Sequence, residues 1–361
     1  MVKLSLDLRE PSMTFLHRAG VAGLFVQLKY LEQLDVKIPH VLKWSLTAHT
    51  IELDWTGNDR AALQWLCDQT FQLDTDGLIY FPAIANSLNF RQRLDLQNNL
   101  RKTFLQHNQF FKSGDTVEKD DRGKKLKYVT CRSYGYQKGA GYLCGKGRNK
   151  DRLQSKCIKI TGWIYPGATV KHSTLVTATQ FAETPTNFFA LLFAPLACSY
   201  VRISPNFDAE AKVQKFQTGV VIPEVTNLED YQQDISTSAR TAINYRAAGW
   251  AEAGLKFLLQ TTPVKQSNQP ELLRCLVISF GVVEWSKQQH TRVAVEPIAI
   301  DTQNLERYQI FARLLDSQDS FPNPLLQFIA ENLIRGRPWW WNFAEVWIDK
   351  KADLAITSHQ Q

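Results

Sequence analysis

The hydrophobic residues of this chain follow a strand period in some segments and a helix period in others, and this mixture limits the fold class. Leu4, Leu6 and Leu8 alternate with polar residues, as in a half-buried strand. Between Thr14 and Leu34 the apolar residues recur at helical spacing instead. We therefore predict an α+β fold.

The second half of the chain favours helices over strands. The apolar pattern predicts a helical stretch from Leu228 to Gln260 and a strand pair at Leu272–Trp285 and Arg292–Ile300. A length of 361 residues suffices for one large domain or two ordinary ones. We predict two domains: a mixed α+β domain over residues 1–204, with a basic Gly/Tyr-rich insertion at about 115–160, and a mainly helical domain over 205–361.

The helix predicted from Thr14 to Leu34 carries a patch of small residues. Ala19-Gly20 and Ala22-Gly23 lack the side-chain bulk that normally keeps two backbones apart. We expect a neighbouring element to approach this helix closely at the patch.

Positive charge is concentrated in one segment, Arg122–Lys159. This segment contains twelve Lys and Arg residues against one acid, Asp151. The other residues hold 30 Lys and Arg against 34 Asp and Glu, so the net charge of +7 comes from this segment alone. One basic arm on a mildly acidic body is typical of a protein that binds a polyanion.

The composition of the basic segment suits nucleic acid, and we predict strands or a ribbon with long loops. Its glycines would let backbone amides approach phosphates, and its tyrosines could stack on bases. The alternative is a solvated loop whose charge only keeps the protein soluble. The residues predicted to bind nucleic acid here are Lys124, Lys125, Lys127, Tyr128, Arg132, Tyr134, Tyr136, Lys138, Lys146, Arg148, Lys150 and Arg152.

A near match to a phosphate-binding loop lies inside the basic segment. Ala140 is followed by Gly145-Lys146 at the right spacing, but Gly147 stands where Ser or Thr would hold Mg²⁺. We therefore do not predict NTP hydrolysis.

The sequence offers no clear metal site or catalytic constellation. Cys131, Cys144 and Cys157 lack the paired spacing of zinc ligands, and the histidines are scattered singly. Asp74 and Asp76 favour a turn over a metal site. We predict a protein that is not an enzyme and needs no metal or cofactor.

Three consecutive tryptophans, Trp339–Trp341, follow Arg335 and Arg337. Three adjacent rings cannot all face one core from a regular helix or strand. We predict that one or two reach a groove, a partner or a base step, and that Arg335 and Arg337 also bind nucleic acid. The alternative is a segment whose rings pack on the protein's own core.

The chain shows no export or membrane signal, so we expect a cytoplasmic protein with free thiols. Its longest apolar stretch, Phe188–Tyr200, is shorter than the roughly 20 residues that a bilayer requires.

Two N-terminal motifs resemble a known family. Residues 6–11 (LDLREP) and 17–24 (HRAGVAGL) are similar to the large subunit of type I CRISPR Cascade complexes, in the MYXAN-type branch, some members of which are transposon-associated. The length, the basic segment and the helical second half are softer points of similarity.

The resemblance implies a non-catalytic subunit of an RNA-guided complex for antiviral defence. Such a subunit contacts the 5′ handle of the guide RNA (crRNA), recognises the target-flanking motif (PAM) in double-stranded DNA and helps to start the R-loop. The implied partners are those nucleic acids, the backbone and handle-capping subunits, and a helicase-nuclease or transposition proteins. The alternatives are a free-standing nucleic-acid-binding or scaffold protein and, as a third hypothesis, a nuclease.

Overall fold

The computed structural model mixes helices and strands throughout the residues that it describes, which confirms the predicted α+β fold class. It describes residues 3–34, 38, 42–85, 88–106, 109–160, 162–166, 181–204, 217–237, 244–261, 272–282, 290–315 and 322–347.

The helices and strands have the following bounds. The strands are β1 (Leu4–Asp7), β2 (Lys43–Leu46), β3 (Thr50–Asp54), β4 (Gln72–Leu73), β5 (Ile79–Tyr80), β6 (Phe111–Asp121), β7 (Lys124–Tyr134), β8 (Ile158–Lys159), β9 (Ala182–Glu183), β10 (Ser199–Ile203), β11 (Gln217–Pro223), β12 (Asn244–Ala247), β13 (Leu272–Val282) and β14 (His290–Asp301). The helices are α1 (Phe15–Glu32), α2 (Asp59–Thr70), α3 (Pro82–Ala85), α4 (Phe90–Lys102), α5 (Gly139–Leu143), α6 (Pro185–Ala197), α7 (Leu228–Thr237), α8 (Trp250–Thr261), α9 (Thr302–Leu315), α10 (Pro324–Ile334) and α11 (Phe343–Trp347).

The chain divides into two compact units that are not continuous in sequence. The first unit contains Met1–Cys198, Val225–Arg240 and Gln288–Thr291, and the second contains Ser199–Glu224, Thr241–Lys287 and Arg292–Gln361. The predicted domains, 1–204 and 205–361, stay a prediction.

Helix α1 and helix α6 form the centre of the first unit, and they pack backbone against backbone. A Cβ atom added to Gly20 would lie 2.0 Å from the carbonyl oxygen of Ala190, and one added to Gly23 would lie 2.2 Å from that of Phe193. The close approach predicted for the small-residue patch is therefore confirmed, and α6 is the neighbour that uses it.

The motif residue His17 lies in the first turn of α1 and has a structural role there. Its Nδ1 accepts a hydrogen bond from the backbone N–H of Thr14 at 3.3 Å, while the Thr14 side chain caps the helix. Its Nε2 lies 3.4 Å from Glu183. Burial lowers the pKa of His17, and the nearby carboxylate opposes that shift.

The second unit contains a mixed sheet of five described strands in the order β12-β10-β11-β13-β14. Strand β12 pairs parallel to β10, and the other pairings given by their register are antiparallel. Residues of α8, α9 and α10 form one hydrophobic core with residues of these strands. The predicted strand pair is present as β13 and β14.

The helical stretch predicted from Leu228 to Gln260 is wrong as one element. Helices α7 and α8 occupy its two ends, but Asn244–Ala247 between them form strand β12. These four residues pair with β10, so sheet pairing outweighs the helical pattern of the surrounding sequence.

Candidate nucleic-acid interface

Strands β6 and β7 form a two-stranded antiparallel ribbon in which acidic residues lie opposite basic ones. Residues 111–134 hold seven Lys and Arg against four Asp and Glu. Opposite charges that face each other across a ladder partly neutralise one another, so the ribbon attracts a polyanion less than its lysines alone suggest. The facing pairs are Asp121 and Lys124, Asp120 and Lys125, and Glu118 and Lys127.

One face of the ribbon is anchored to α4 and to the turn before β5. The ring of Tyr128 packs edge-on against Phe90, with centroids 5.3 Å apart, and its hydroxyl donates to the carbonyl oxygen of Asp76 at 3.1 Å. Lys119 forms an ion pair with Asp76 and lies over the ring of Phe90. The ribbon is therefore held at a fixed position instead of moving as a free loop.

Asp74 and Asp76 lie in a turn, as predicted, and their carboxylates are bound by cations of the chain. Arg93 donates to Asp74 at 2.7 Å and to Asp76 at 3.3 Å. Asp74 also accepts backbone N–H groups of its own turn. These carboxylates stabilise the base of the ribbon.

The structure does not place Tyr134 and Tyr136 where they could stack on bases. Both rings are buried, and their hydroxyls donate to the carbonyl oxygens of Gln72 and Trp163. Burial raises the pKa of both hydroxyls well above the ordinary value. A buried tyrosine that satisfies its hydroxyl is a core residue, and Tyr128, also buried, belongs with them.

The segment after the ribbon, residues 138–159, carries most of the unbalanced charge, and we name it the basic loop. It holds seven Lys and Arg against Asp151. All seven are exposed, and none forms an ion pair with another residue that the structure describes. The seven are Lys138, Lys146, Arg148, Lys150, Arg152, Lys156 and Lys159.

The basic loop is ordered by its own backbone hydrogen bonds. The N–H of Gly145 donates to the carbonyl of Arg152 at 3.0 Å, and the N–H of Gln154 donates to that of Leu143 at 3.1 Å. Gly147 has a φ of +61°, a conformation that favours glycine. A single 3₁₀ turn, Gly147–Asn149, follows Lys146. A phosphate-binding loop needs a full helix at that point, so the near match is not one.

Asp59, at the start of α2, ties the basic loop to the body of the first unit. Its carboxylate accepts hydrogen bonds from Lys3 at 2.8 Å, from the indole N–H of Trp55 at 2.9 Å and from the backbone N–H of Leu153 at 2.9 Å. Its own N–H donates to the carbonyl of Asp151. Burial by itself raises the pKa of Asp59, but the three hydrogen bonds outweigh it, and the net shift is downward.

Replacing Asp59 with asparagine should lower the free energy of unfolding by about 2 kcal/mol, because a neutral amide cannot accept from all three donors. A carboxyl whose pKa is lowered by folding stabilises the fold above its ordinary pKa and loses that contribution as the pH falls through the lowered value. The difference between wild type and Asp59→Asn in urea unfolding should therefore be full at pH 7 and vanish in strong acid. Asp68→Asn, an exposed change on the same helix, should alter stability by less than about 0.5 kcal/mol. Equal stability of wild type and Asp59→Asn at pH 7 would contradict this role.

Arg335 and Arg337 lie in the second unit, so they do not belong to the ribbon or the basic loop. Both are exposed, and the guanidinium of Arg337 lies 5.9 Å from the ring centroid of Trp341. The rings of Trp339 and Phe311 pack with their centroids 5.0 Å apart. This contact agrees in part with the alternative that the tryptophan rings cover the protein's own core. All three tryptophan rings still remain substantially exposed.

Two features of the described residues bear on other functions. No group of three or more His, Cys, Asp or Glu is placed there to hold a metal ion. Among the described helices, none has both the length and the hydrophobicity needed to cross a membrane.

Two residues of this part of the chain carry only a weak signal in the sequence, Asp59 and Arg122. Asp59 resembles any acidic residue in the first turn of a helix, and its contacts to Lys3 and Leu153 join distant parts of the chain. Arg122 lies at the exposed tip of the ribbon with a φ of 55° and precedes Gly123, whose φ is 77°. Two positive φ values in a two-residue hairpin normally select Asn-Gly, so an arginine before a glycine was the available signal.

Comparison with known proteins adds a family and a distant relative. The family model described as the DevT N-terminal domain matches residues 5–192, a range that includes the ribbon and the basic loop. The chain is 24% identical over 375 residues to the CRISPR-associated protein Cas8a1/Csx13 of Myxococcus xanthus (strain DK1622). That alignment covers 94% of this chain and 63% of the relative, so the chain spans less than two thirds of the relative's length. The relative's name agrees with the CRISPR resemblance of the N-terminal motifs and specifies neither a MYXAN-type branch nor a transposon.

Proposed function

The chain belongs to the DevT N-terminal domain family, and from that premise we propose that it is a non-catalytic large subunit of an RNA-guided type I CRISPR complex. In this role it contacts the 5′ handle of the guide RNA, recognises the flanking motif in duplex DNA and helps to begin strand separation. The name of its distant relative and the two N-terminal motifs support the proposal.

The basic loop is the observation that carries the proposal. Seven exposed cations lie within 22 residues, and backbone hydrogen bonds and Asp59 hold the loop backbone between Leu143 and Gln154 in place. An ordered backbone reduces the conformational freedom that the loop loses on binding, and each phosphate that its cations neutralise releases counterions. A nucleic-acid backbone is the ligand that suits this arrangement best.

Contacts to phosphates position a nucleic acid without reading its sequence. In an RNA-guided complex, base pairing with the guide reads the target, and the protein reads backbone shape and a short flanking motif. Lysine and arginine side chains on an ordered loop suit the protein's part of this task, which is to contact the nucleic-acid backbone. The finer parts of the proposal are the MYXAN-type branch, a transposon-associated origin and action in the cytoplasm. The proposed further partners are the backbone and handle-capping subunits, and either a helicase-nuclease or transposition proteins.

Arg122 extends the proposed interface to the tip of the ribbon. A left-handed backbone conformation costs a residue other than glycine about 1–2 kcal/mol. An arginine that carries this cost at an exposed position is better explained by binding than by stability. Its guanidinium suits a phosphate or a groove edge.

Replacing Arg122 with asparagine should leave the protein as stable as wild type or more stable by about 1 kcal/mol, because asparagine tolerates the left-handed conformation. The same change should weaken binding to a short DNA duplex and reduce the slope of log K against log salt by about 0.9, the value for one phosphate contact. Arg122→Lys keeps the charge and should preserve the slope. A slope unchanged in Arg122→Asn would remove this residue from the interface.

Co-purification tests the proposed function directly. The chain should be expressed with its genomic neighbours, and the purified complex should contain a short RNA with a uniform 5′ end. That complex should bind duplex DNA only beside one short flanking motif. A chain that stays alone but binds DNA with a steep salt dependence would instead support a free-standing nucleic-acid-binding or scaffold protein. Metal-dependent cleavage by the purified chain would support a nuclease.

A further inference from the structure

The second unit exposes a set of large apolar side chains, which we name the tryptophan surface. It consists of Ile310 and Leu314 on α9 and Trp339, Trp340 and Trp341 in the segment after α10. Leu314 is 73% exposed, Ile310 58% and Trp340 54%. Phe311 packs against Trp339 and so joins α9 to the tryptophan segment. It lies one position from Ile310 and three from Leu314 in the sequence.

A buried asparagine holds the tryptophans in place. The side-chain amide of Asn332 donates to the carbonyl oxygens of Trp339 and Trp341, both at 3.0 Å. The backbone N–H of Arg337 donates to the carbonyl of Asn332 at 2.8 Å. These bonds on either side of Trp340 hold the backbone of the segment in place, and Trp340 between them is 54% exposed. Its exposure is thus a feature of an ordered segment.

The chemistry of the surface favours a protein over a nucleic acid. Bases stack on aromatic rings, but the aliphatic side chains of Ile310 and Leu314 offer no such platform. Tryptophan and arginine are the residues most enriched at the energetic centres of protein interfaces. A large exposed apolar patch with a polar rim is typical of a docking site.

The charges around the tryptophan surface indicate what the partner carries. Among the described residues of Thr302–Trp347, four arginines are exposed, against two exposed acids, Glu306 and Glu345. Of the other acids in this range, Glu331 is half-buried and accepts from Gln327 at 2.6 Å, and Asp316 and Asp319 lie outside the described residues. A face with an excess of arginine complements carboxylates on a partner. The four arginines are Arg307, Arg313, Arg335 and Arg337.

We infer that the tryptophan surface docks another protein subunit, through an apolar face that is rimmed by Asp and Glu. The inference rests on the proposal that the chain works in a multi-subunit complex. It also reassigns Arg335 and Arg337 from nucleic acid to a protein partner. The surface lies outside residues 5–192, the part that matches the family.

The test uses the complex purified with the products of the neighbouring genes. Trp340→Ala should lower the affinity for one protein subunit by about thirtyfold, the effect of truncating an interface centre, while the bound RNA and the DNA affinity of the chain stay unchanged. Leu314→Glu, at the most exposed position, should have the same effect without disturbing the core. Arg313→Glu should weaken the same subunit's binding, and more so at low salt. Leu272→Ala, an exposed apolar change in the same unit, is the matched control and should keep every subunit.

The outcomes separate this inference from the proposed function. Loss of one protein subunit with nucleic acid retained supports the inference. Loss of nucleic acid with all proteins retained assigns the surface to nucleic acid and overturns it. A complex unchanged in both Trp340→Ala and Leu314→Glu overturns the inference alone. A wild-type chain that co-purifies with no other protein overturns both proposals.

Discussion

Replacing Gly20 with alanine should destabilise the first unit by about 3 kcal/mol or more, an effect at the upper end for overpacking. The added Cβ would lie 2.0 Å from the carbonyl oxygen of Ala190 and 2.6 Å from its carbonyl carbon. Both atoms are backbone, so no side-chain rotation can relieve the overlap. Helix α1 or α6 would have to move, and the buried residues along both helices would lose their packing.

Urea unfolding followed by circular dichroism measures this change, with Gly162→Ala as the matched control. A Cβ at Gly162 meets nothing within 4 Å, and its φ lies outside the left-handed region. The control should therefore shift the free energy of unfolding by less than about 0.5 kcal/mol. Gly23→Ala should resemble Gly20→Ala, because its Cβ would lie 2.2 Å from the carbonyl oxygen of Phe193. Full stability in both helix variants would mean that α1 and α6 lie further apart than described.

Features that depend on neighbouring residues in the chain could be predicted from the sequence. The first strand and the long helix α1 follow from hydrophobic period, and the turn at Asp74 follows from its residue types. The small-residue patch predicts close packing because side-chain bulk sets the distance between helices. Which helix would use the patch could not be predicted, since the pairing of α1 with α6 joins residues 170 positions apart, Gly20 and Ala190.

Features that depend on pairing between distant segments could not be predicted. The sequence around β12 has the apolar spacing of a helix, and only the parallel pairing of β12 with β10 makes these residues a strand. The tyrosines are a second case. Tyr134 and Tyr136 lie in a basic, glycine-rich segment that suggests exposure, yet each hydroxyl finds a carbonyl inside the unit. Composition describes a segment's average and does not distinguish the inward positions of a strand from the outward ones.

The sequence also does not show which cations of the basic segment face acidic residues, and this affects the predicted binding. Counting charges along the sequence treats Lys124 and Lys146 as equivalent members of one arm. The ladder sets Lys124 opposite Asp121, whereas no described carboxylate pairs with Lys146. Because β6 is acidic and β7 basic, pairing compensates the first half of the segment and leaves the basic loop uncompensated. The two halves should therefore contribute unequally to binding.

Replacing Lys146, Arg148 and Lys150 with glutamine should weaken nucleic-acid binding about a hundredfold near physiological salt. Each phosphate that the protein no longer neutralises reduces the slope of log K against log salt by about 0.9, so three such phosphates reduce it by about 2.7. The three side chains are exposed and form no described ion pair, so stability should stay within about 0.5 kcal/mol of wild type. Titration of a fluorescent DNA duplex and a single-stranded RNA at several salt concentrations gives the slopes.

The ribbon provides a control of equal charge in the same unit. Lys124, Lys125 and Lys127 changed to glutamine also remove three positive charges, but each of these lysines faces an acid across the ladder. A cation on the strand opposite an acidic residue adds less to the local potential, so the ribbon variant should reduce both affinity and slope less than the loop variant. Equal reductions would mean that net charge alone governs binding. A larger reduction in the ribbon variant would place the main contact on β7.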